Sequence, residues 1–290
     1  MKVAGATRVL GIFGDPVSHS LSPAIQNAAL EEACIDAVYV PFHVRPQDLE
    51  SAVSALRALD IGGVNVTIPH KEAVCRFLDE IEPEAQQIGA VNTIVNRSGH
   101  LLGCNTDGRG FIRALEEDLE FTPKGRNIIF LGAGGASRAG VVALCRAGAG
   151  RIWIANRTRP RARHLVEEFS ASFPETRLAD IAWDFRPDSD FAAFCPEVDL
   201  IVNSTSVGLE AEPPPDLPWS KIPQTTCFYD MVYARQDTPF IRQAAKHGHR
   251  CADGLGMLVG QGEIAFELWT GTPPPYGVMK SRILAEYLGK

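Results

Sequence analysis

NIIFLGAGGAS, residues 127–137, runs as an apolar strand into a glycine-rich turn, and RAGVVALCRAGA, 138–149, continues it as a helix. In strand–turn–helix context such glycines allow a tight turn, bring backbone N–H groups close to a pyrophosphate and set it at a helix N-terminus. The glycine pattern is incomplete, because Ser137 stands where a third glycine is usual. Outward from this stretch, RIWIANRT (151–158), VDLIVNST (198–205) and CFYDMVY (227–233) read as strands, with PRARHLVEEF (160–169) and TPFIRQAAKHG (238–248) as helices. That alternation is a doubly wound α/β module.

The end of the strand RIWIA carries the cofactor choice. An acidic side chain about 20 positions past the glycine turn holds the ribose 2′-OH of NAD. Here Asn156, Arg157 and Thr158 follow the strand, with Arg161 one helical turn on. A guanidinium fork suits a 2′-phosphate, so the expectation is NADP. The alternative is a solvated pair of surface arginines.

The first third alternates as well. VLGIFG (9–14), VYVPFHV (38–44) and GVNVTI (63–68) read as strands. SPAIQNAALEEACI (22–35), with Ser22 as N-cap and Pro23 at the first helical position, PQDLESAVSALRALDI (46–61) and HKEAVCRFLDEI (70–81) read as helices. This order predicts a parallel sheet. AVNTIVN and HLLGCNT form a hairpin, DGRGFIRALEEDLEF (107–121) a helix, and PKGRN (123–127) a boundary at which a second domain begins. GMLVGQGEIAFELWTG and VMKSRILAEYLG read as two closing helices that periodicity assigns to neither sheet.

Composition narrows the function. The chain has 290 residues, 45% of them hydrophobic, and carries 28 basic against 35 acidic side chains, a formal charge of −7 without a basic stripe. Nucleic acid and anionic membranes are therefore not the expected partners; a small-molecule substrate is. Seven scattered cysteines without a C-x-x-C pair point to a reducing cytoplasm and give no metal site. No apolar run reaches the length of a membrane span.

NVTIPHK, residues 65–71, raises the chemical question: an apolar strand ends in Lys71. Ligands of open α/β sheets bind outside the carboxyl ends of the strands. A lysine there, paired with a carboxylate such as Asp107 of CNTDG, provides the proton exchange that alcohol oxidation by a nicotinamide requires. Taken alone, Lys71 reads more often as an exposed first-turn lysine. VSHSLSP offers Ser18, Ser20 and Ser22, AVNT offers Asn92 and Thr93, and with Asn65, Thr67 and Gln261 these describe a small hydroxylated ligand.

HSLSP, NVTIPHK, GAVNT, CNTDG, GAGGAS, NRT, NSTSVGL, YDMVY and GLGMLVGQ occur in one order, and by them the chain resembles the shikimate dehydrogenase family along almost its whole length. The resemblance implies reversible reduction of 3-dehydroshikimate to shikimate with NADPH, in two α/β domains. These would be a substrate domain over 1–107, rejoined by helices over 255–290, and a Rossmann NADP-binding domain over 108–254. It implies Lys71 and Asp107 as the catalytic pair. Ser20 and Ser22 would take the substrate carboxylate, and Thr67, Asn92, Gln261 and Tyr233 the remainder of the substrate. Gly132, Gly134, Gly135 and Ala136 would line the pyrophosphate, Asn156, Arg157, Thr158 and Arg161 the adenosine phosphate, and Gly254 the nicotinamide. Such an enzyme is expected to be cytoplasmic, as a monomer or homodimer, with no metal. Quinate dehydrogenases of the same family are often NAD-linked; Arg157 and the serine pair of HSLSP point away from them.

Overall fold

The structure, a computed structural model, describes residues 3–205, 207 and 214–287. Ser206, Gly208 and Leu209 of the NSTSVGL motif lie outside the described residues. The chain divides into two compact units, Met1–Gly110 with Leu258–Lys290, and Phe111–Met257.

The first unit begins β1 (Arg8–Gly14), α1 (Ser22–Glu32), β2 (Ala37–His43), α2 (Leu49–Ala58) and β3 (Gly63–Val66). It continues with β4 (Glu80–Ile81), α3 (Pro83–Ile88), β5 (Thr93–Arg97), β6 (His100–Cys104) and the start of α4 (Asp107–Leu119). The sheet runs β2-β1-β3-β5-β6-β4. It is mixed rather than parallel: β1 pairs parallel with β2 and β3, but β5 is antiparallel to both β3 and β6. Ser98 (φ 54) and Gly99 (φ 92), both left-handed, turn the hairpin that reverses β6 against β5, the backbone that matches strand twist in a two-residue connection, while β5 itself lies antiparallel on β3. Val53 and Leu56 of α2 pack with Val64, Val66 and Ile94 of the sheet into one buried cluster.

Two local expectations are corrected. Residues 70–81 do not form a helix; Ala73–Phe77 make a 3-10 turn and Glu80–Ile81 a short strand. The Lys71 carbonyl accepts from Val91 N at 2.8 Å, and Asp79 N donates to Leu101 O at 3.1 Å, so contacts with distant segments take the groups a helix would have used. Ser22 is not an N-cap but the first residue of α1; Leu21 occupies the cap without a side-chain bond, and Ser20 Oγ accepts from Ser22 N at 3.3 Å.

In the second unit β7 (Asn127–Leu131), α5 (Gly135–Arg146), β8 (Arg151–Ala155), α6 (Arg159–Ser170) and β9 (Arg177–Ile181) are followed by α7 (Asp190–Phe194). β10 (Leu200–Asn203), β11 (Cys227–Asp230), α8 (Pro239–Lys246) and β12 (Cys251–Ala252) complete it. Its sheet, β12-β11-β10-β7-β8-β9, is parallel at every pairing, the doubly wound arrangement expected. Ile129, Leu131, Trp153, Ile201 and Phe228 are buried in its core. The change between units falls within α4, between Gly110 and Phe111, and not in PKGRN, which leads into β7.

The closing helices are α9 (Leu255–Thr270) and α10 (Val278–Tyr287); from Leu258 onward they belong to the first unit. Trp269 Nε1 donates to Ile94 O at 3.0 Å, fastening α9 to the first sheet. Among the described residues no helix is long and apolar enough to cross a membrane.

Candidate active site

Lys71 follows the end of β3 by five residues and is held on both sides. Thr67 N donates to Phe13 O at 2.9 Å, the buried His70 ring bonds to Val44 O at 2.6 Å, and the Lys71 carbonyl is taken by Val91. Asp107 opens α4, where a helix N-terminus favours negative charge. Its own N–H donates to Asn105 Oδ1 at 3.1 Å, and Asn105 Nδ2 is tied to Ala90 O at 2.9 Å.

These supports bring Lys71 Nζ to 2.7 Å from Asp107 Oδ2. The other carboxylate oxygen, Oδ1, accepts from Asn92 Nδ2 at 2.8 Å. The Asn92 orientation is fixed in turn, because its Oδ1 accepts Thr106 N at 2.8 Å and Thr93 Oγ1 at 2.9 Å. Side-chain exposure is 20% for Lys71 and 8% for Asp107, so the ammonium is reachable while the carboxylate is covered.

The polar chain extends further than the sequence suggested. Thr93 Oγ1 accepts from Asn65 Nδ2 at 3.0 Å, and Asn65 Oδ1 accepts from the Tyr39 hydroxyl at 2.7 Å. Burial raises the Tyr39 phenol well above its usual range, and the Ser22 hydroxyl beside it acts in the opposite direction. Ser22, Asn92, Asp107 and Lys71 are therefore joined through side chains within one unit. Tyr39 was missed because it sits in an apolar strand; a lone hydroxyl aromatic in VYVPFHV was the available signal.

Gln261 is buried in α9, with Nε2 donating to Leu258 O at 2.8 Å. It lies against Gly110 of α4, where an added Cβ would come within 2.5 Å of Gln261 N. Thr67 is half-buried, with Cγ2 at 2.6 Å from the Cβ position of Gly14. Tyr233 follows β11 in the second unit and is half-buried.

In the second unit Gly132 adopts φ +116, and a Cβ there would meet Ser204 Oγ at 2.4 Å, so glycine is required twice over. Ser137 has its own reason to replace the third glycine: buried, it accepts from Gly134 N at 3.0 Å and bonds to Ser204 Oγ at 2.7 Å. Cβ atoms added at Gly134 or Gly135 would meet nothing within 4 Å. Open space thus lies over a helix N-terminus, the place for a pyrophosphate. Beyond β8, Asn156 Nδ2 donates to Thr158 O at 2.9 Å, and Arg157, Thr158 and Arg161 are exposed. Arg159 is tied to Asp180 at 2.7 Å. Gly254 N donates to Val232 O at 3.2 Å, and a Cβ there would lie 2.4 Å from Met231 O. This glycine turn and arginine-rich strand end fit a dinucleotide with an additional phosphate.

Models of known families match three stretches: the shikimate dehydrogenase substrate binding domain over 12–94, shikimate / quinate 5-dehydrogenase over 115–207, and the shikimate 5'-dehydrogenase C-terminal domain over 254–284. A shikimate dehydrogenase (NADP+) of Geobacter metallireducens is 51% identical over 285 residues, 98% of this chain and 99% of that one.

The chain belongs to the shikimate dehydrogenase family.

Solved members of the family share the fold. The Thermus thermophilus shikimate 5-dehydrogenase in complex with NADP(H) and shikimate is 38% identical, with a TM-score of 0.82 over 95% of this chain and 98% of that one. The Listeria monocytogenes shikimate 5-dehydrogenase in complex with shikimate and NAD is 31% identical, with a TM-score of 0.89 over 97% and 98%.

Proposed function

We propose that this chain is an NADP-dependent shikimate dehydrogenase that reversibly reduces 3-dehydroshikimate to shikimate, with Lys71 and Asp107 handling the proton. The observation carrying the reading is the 2.7 Å Lys71–Asp107 pair, oriented by Asn92, in a member of this family. When bound, NADPH supplies the hydride that adds to the substrate carbonyl carbon. The carbonyl electrons move to oxygen, and the Lys71 ammonium delivers a proton there; in the oxidation Lys71 takes it back. Asp107 Oδ2 keeps Nζ aimed, and Asn92 keeps the carboxylate from rotating away.

Ser20 and Ser22 present hydroxyls to the substrate carboxylate, and Thr67, Asn92, Gln261 and Tyr233 bind the ring substituents. The first unit, with the returning helices, is the substrate domain and the second the NADP domain. Gly132, Gly134, Gly135 and Ala136 approach the pyrophosphate, Gly254 the nicotinamide, and Asn156, Arg157, Thr158 and Arg161 the adenosine phosphate. Arg157 supports NADP over NAD, since a fixed cation complements a 2′-phosphate.

Reduced-nicotinamide absorbance, followed with shikimate or quinate and with NADP+ or NAD+, gives four kcat/KM values. Shikimate with NADP+ is expected to dominate. Dominance of quinate or NAD+ overturns the specificity, and silence in all four overturns the activity.

A further inference from the structure

Asp230 ends β11, is 1% exposed, and among the described residues accepts hydrogen bonds from an amide side chain, a backbone N–H and a hydroxyl and from no cation. Oδ1 accepts from Asn203 Nδ2 at 3.0 Å and Val232 N at 3.1 Å, and Oδ2 from the Thr238 hydroxyl at 2.5 Å. A buried carboxylate without a counter-charge is costly, so its three donors offset that cost only by being held in place.

Those donors come from three segments: the end of β10, the loop after β11 and the cap of α8. Asn203 hands the constraint on. Its Oδ1 accepts from Thr205 N at 3.1 Å and Thr205 Oγ1 at 2.7 Å, and its carbonyl accepts from Met231 N at 2.8 Å. Residues 204 and 205 lie directly under the glycine turn: from the Cβ position of Gly132, Ser204 Oγ is 2.4 Å and Thr205 Cγ2 3.0 Å away. Ser204 Oγ also bonds to Ser137 Oγ, which accepts from Gly134 N.

We infer that Asp230 is a positioning residue for dinucleotide binding, acting through Asn203 on the floor formed by Ser204 and Thr205 beneath the glycine turn. The inference rests on the reading of the second unit as the NADP domain. The chain Asp230–Asn203–Thr205 fixes where the floor stands, and Ser204–Ser137–Gly134 transmits that position to the N-terminus of α5. Thr238 occupies a separate arm of the same carboxylate: its hydroxyl caps α8 by accepting Ile241 N at 3.3 Å.

The two arms give the test, which measures NADP+ affinity by titration calorimetry on the full chain beside melting temperature and KM for each substrate. Asp230→Ala is expected to weaken NADP+ binding about tenfold, the loss of one buried charge-assisted bond, and to leave KM for shikimate within about twofold. Asp230→Asn keeps an oxygen toward Asn203 and Val232 and is expected to recover most of that affinity. Thr238→Ala is expected to lower the melting temperature while NADP+ affinity stays within about twofold. Should Asp230→Ala not fold, Asn203→Ala cuts the same link and is expected to show the same loss. Wild-type affinity in Asp230→Ala overturns the inference, as does a Thr238→Ala loss equal to that of Asp230→Ala, which would mark general destabilisation. A wild-type chain that binds no NADP+ overturns the cofactor reading and this inference with it, whereas a wild type that binds it and variants that match it overturn the inference alone.

Discussion

Lys71 Nζ and Asp107 Oδ2 stand 2.7 Å apart although 36 residues separate them in the chain. The pair is held from both ends, by the Val91 bond to the Lys71 carbonyl and by Asn92 on the second carboxylate oxygen. Lys71→Ala is expected to lower kcat by about two to four orders of magnitude with a modest change in KM, because general acid–base transfer acts mainly in the transition state. Steady-state kinetics with shikimate check this; a change confined to KM would reassign Lys71 to binding.

Asp107→Asn tests the carboxylate. An amide offers one oxygen to two donors, so either Lys71 Nζ or Asn92 Nδ2 would face an NH2 group. The expected result is a fall in kcat of about tenfold or more together with a stability loss of about 1–3 kcal/mol, the range for a buried donor left unmatched. Thermal melts and kinetics on one preparation separate the two effects.

Arg157→Asp is expected to raise KM for NADP+ by about tenfold or more and to lower it for NAD+, since a carboxylate repels the 2′-phosphate and can accept from a 2′-OH. An unchanged KM for NADP+ would remove Arg157 from the phosphate clamp and leave Arg161 to be tested in the same way.

Gly110→Ala sets helix propensity against packing. In an exposed helix the change stabilises by about 1 kcal/mol. Here the new Cβ would fall 2.5 Å from the backbone N of Gln261, and a Cβ added on the facing Gly260 would likewise lie 3.1 Å from Gly110 Cα, so the two helices meet through glycine and α4 and α9 must separate. A net loss of about 1–3 kcal/mol is expected, with weaker shikimate binding because Gln261 moves. A rise in melting temperature would contradict this.

The residues that were legible in the sequence share a cause, as do those that were not. NIIFL, the glycines after it and RIWIA mark strand ends by composition alone, so the doubly wound unit and its glycine turn could be read directly. β9, with the sequence RLADI, and the two-residue β12 lack an apolar period and went unread. The first sheet was misjudged although its hairpin was read, because a strand's own pattern does not record that the hairpin joins that sheet with β5 antiparallel to β3. The nearness of Lys71 to Asp107 was legible from strand-end position and from the resemblance. Tyr39 and Asp230 were not, because period-two burial shows which side chains are inside and says nothing of which donor each one meets.

Asp230 also carries a pH prediction. Burial pushes its carboxyl up from 3.8 to about 6, only partly opposed by Thr238, Val232 N and Asn203, while the nearby Asp253 acts in the same direction as burial. The folded chain then binds a proton more readily than the unfolded chain between these values. The group's contribution to stability is complete below about pH 4 and is lost as pH rises through about 6, amounting to on the order of 3 kcal/mol. Asp253 is itself raised by burial and titrates in wild type and variant alike. Asp230→Asn, which keeps the shape and removes the titration, should therefore lose less stability than wild type on going from pH 4 to 7, measured as the difference between urea unfolding free energies at each pH. Parallel profiles would show that Asp230 ionises in the folded chain as an ordinary carboxylate, already accommodated by its three donors.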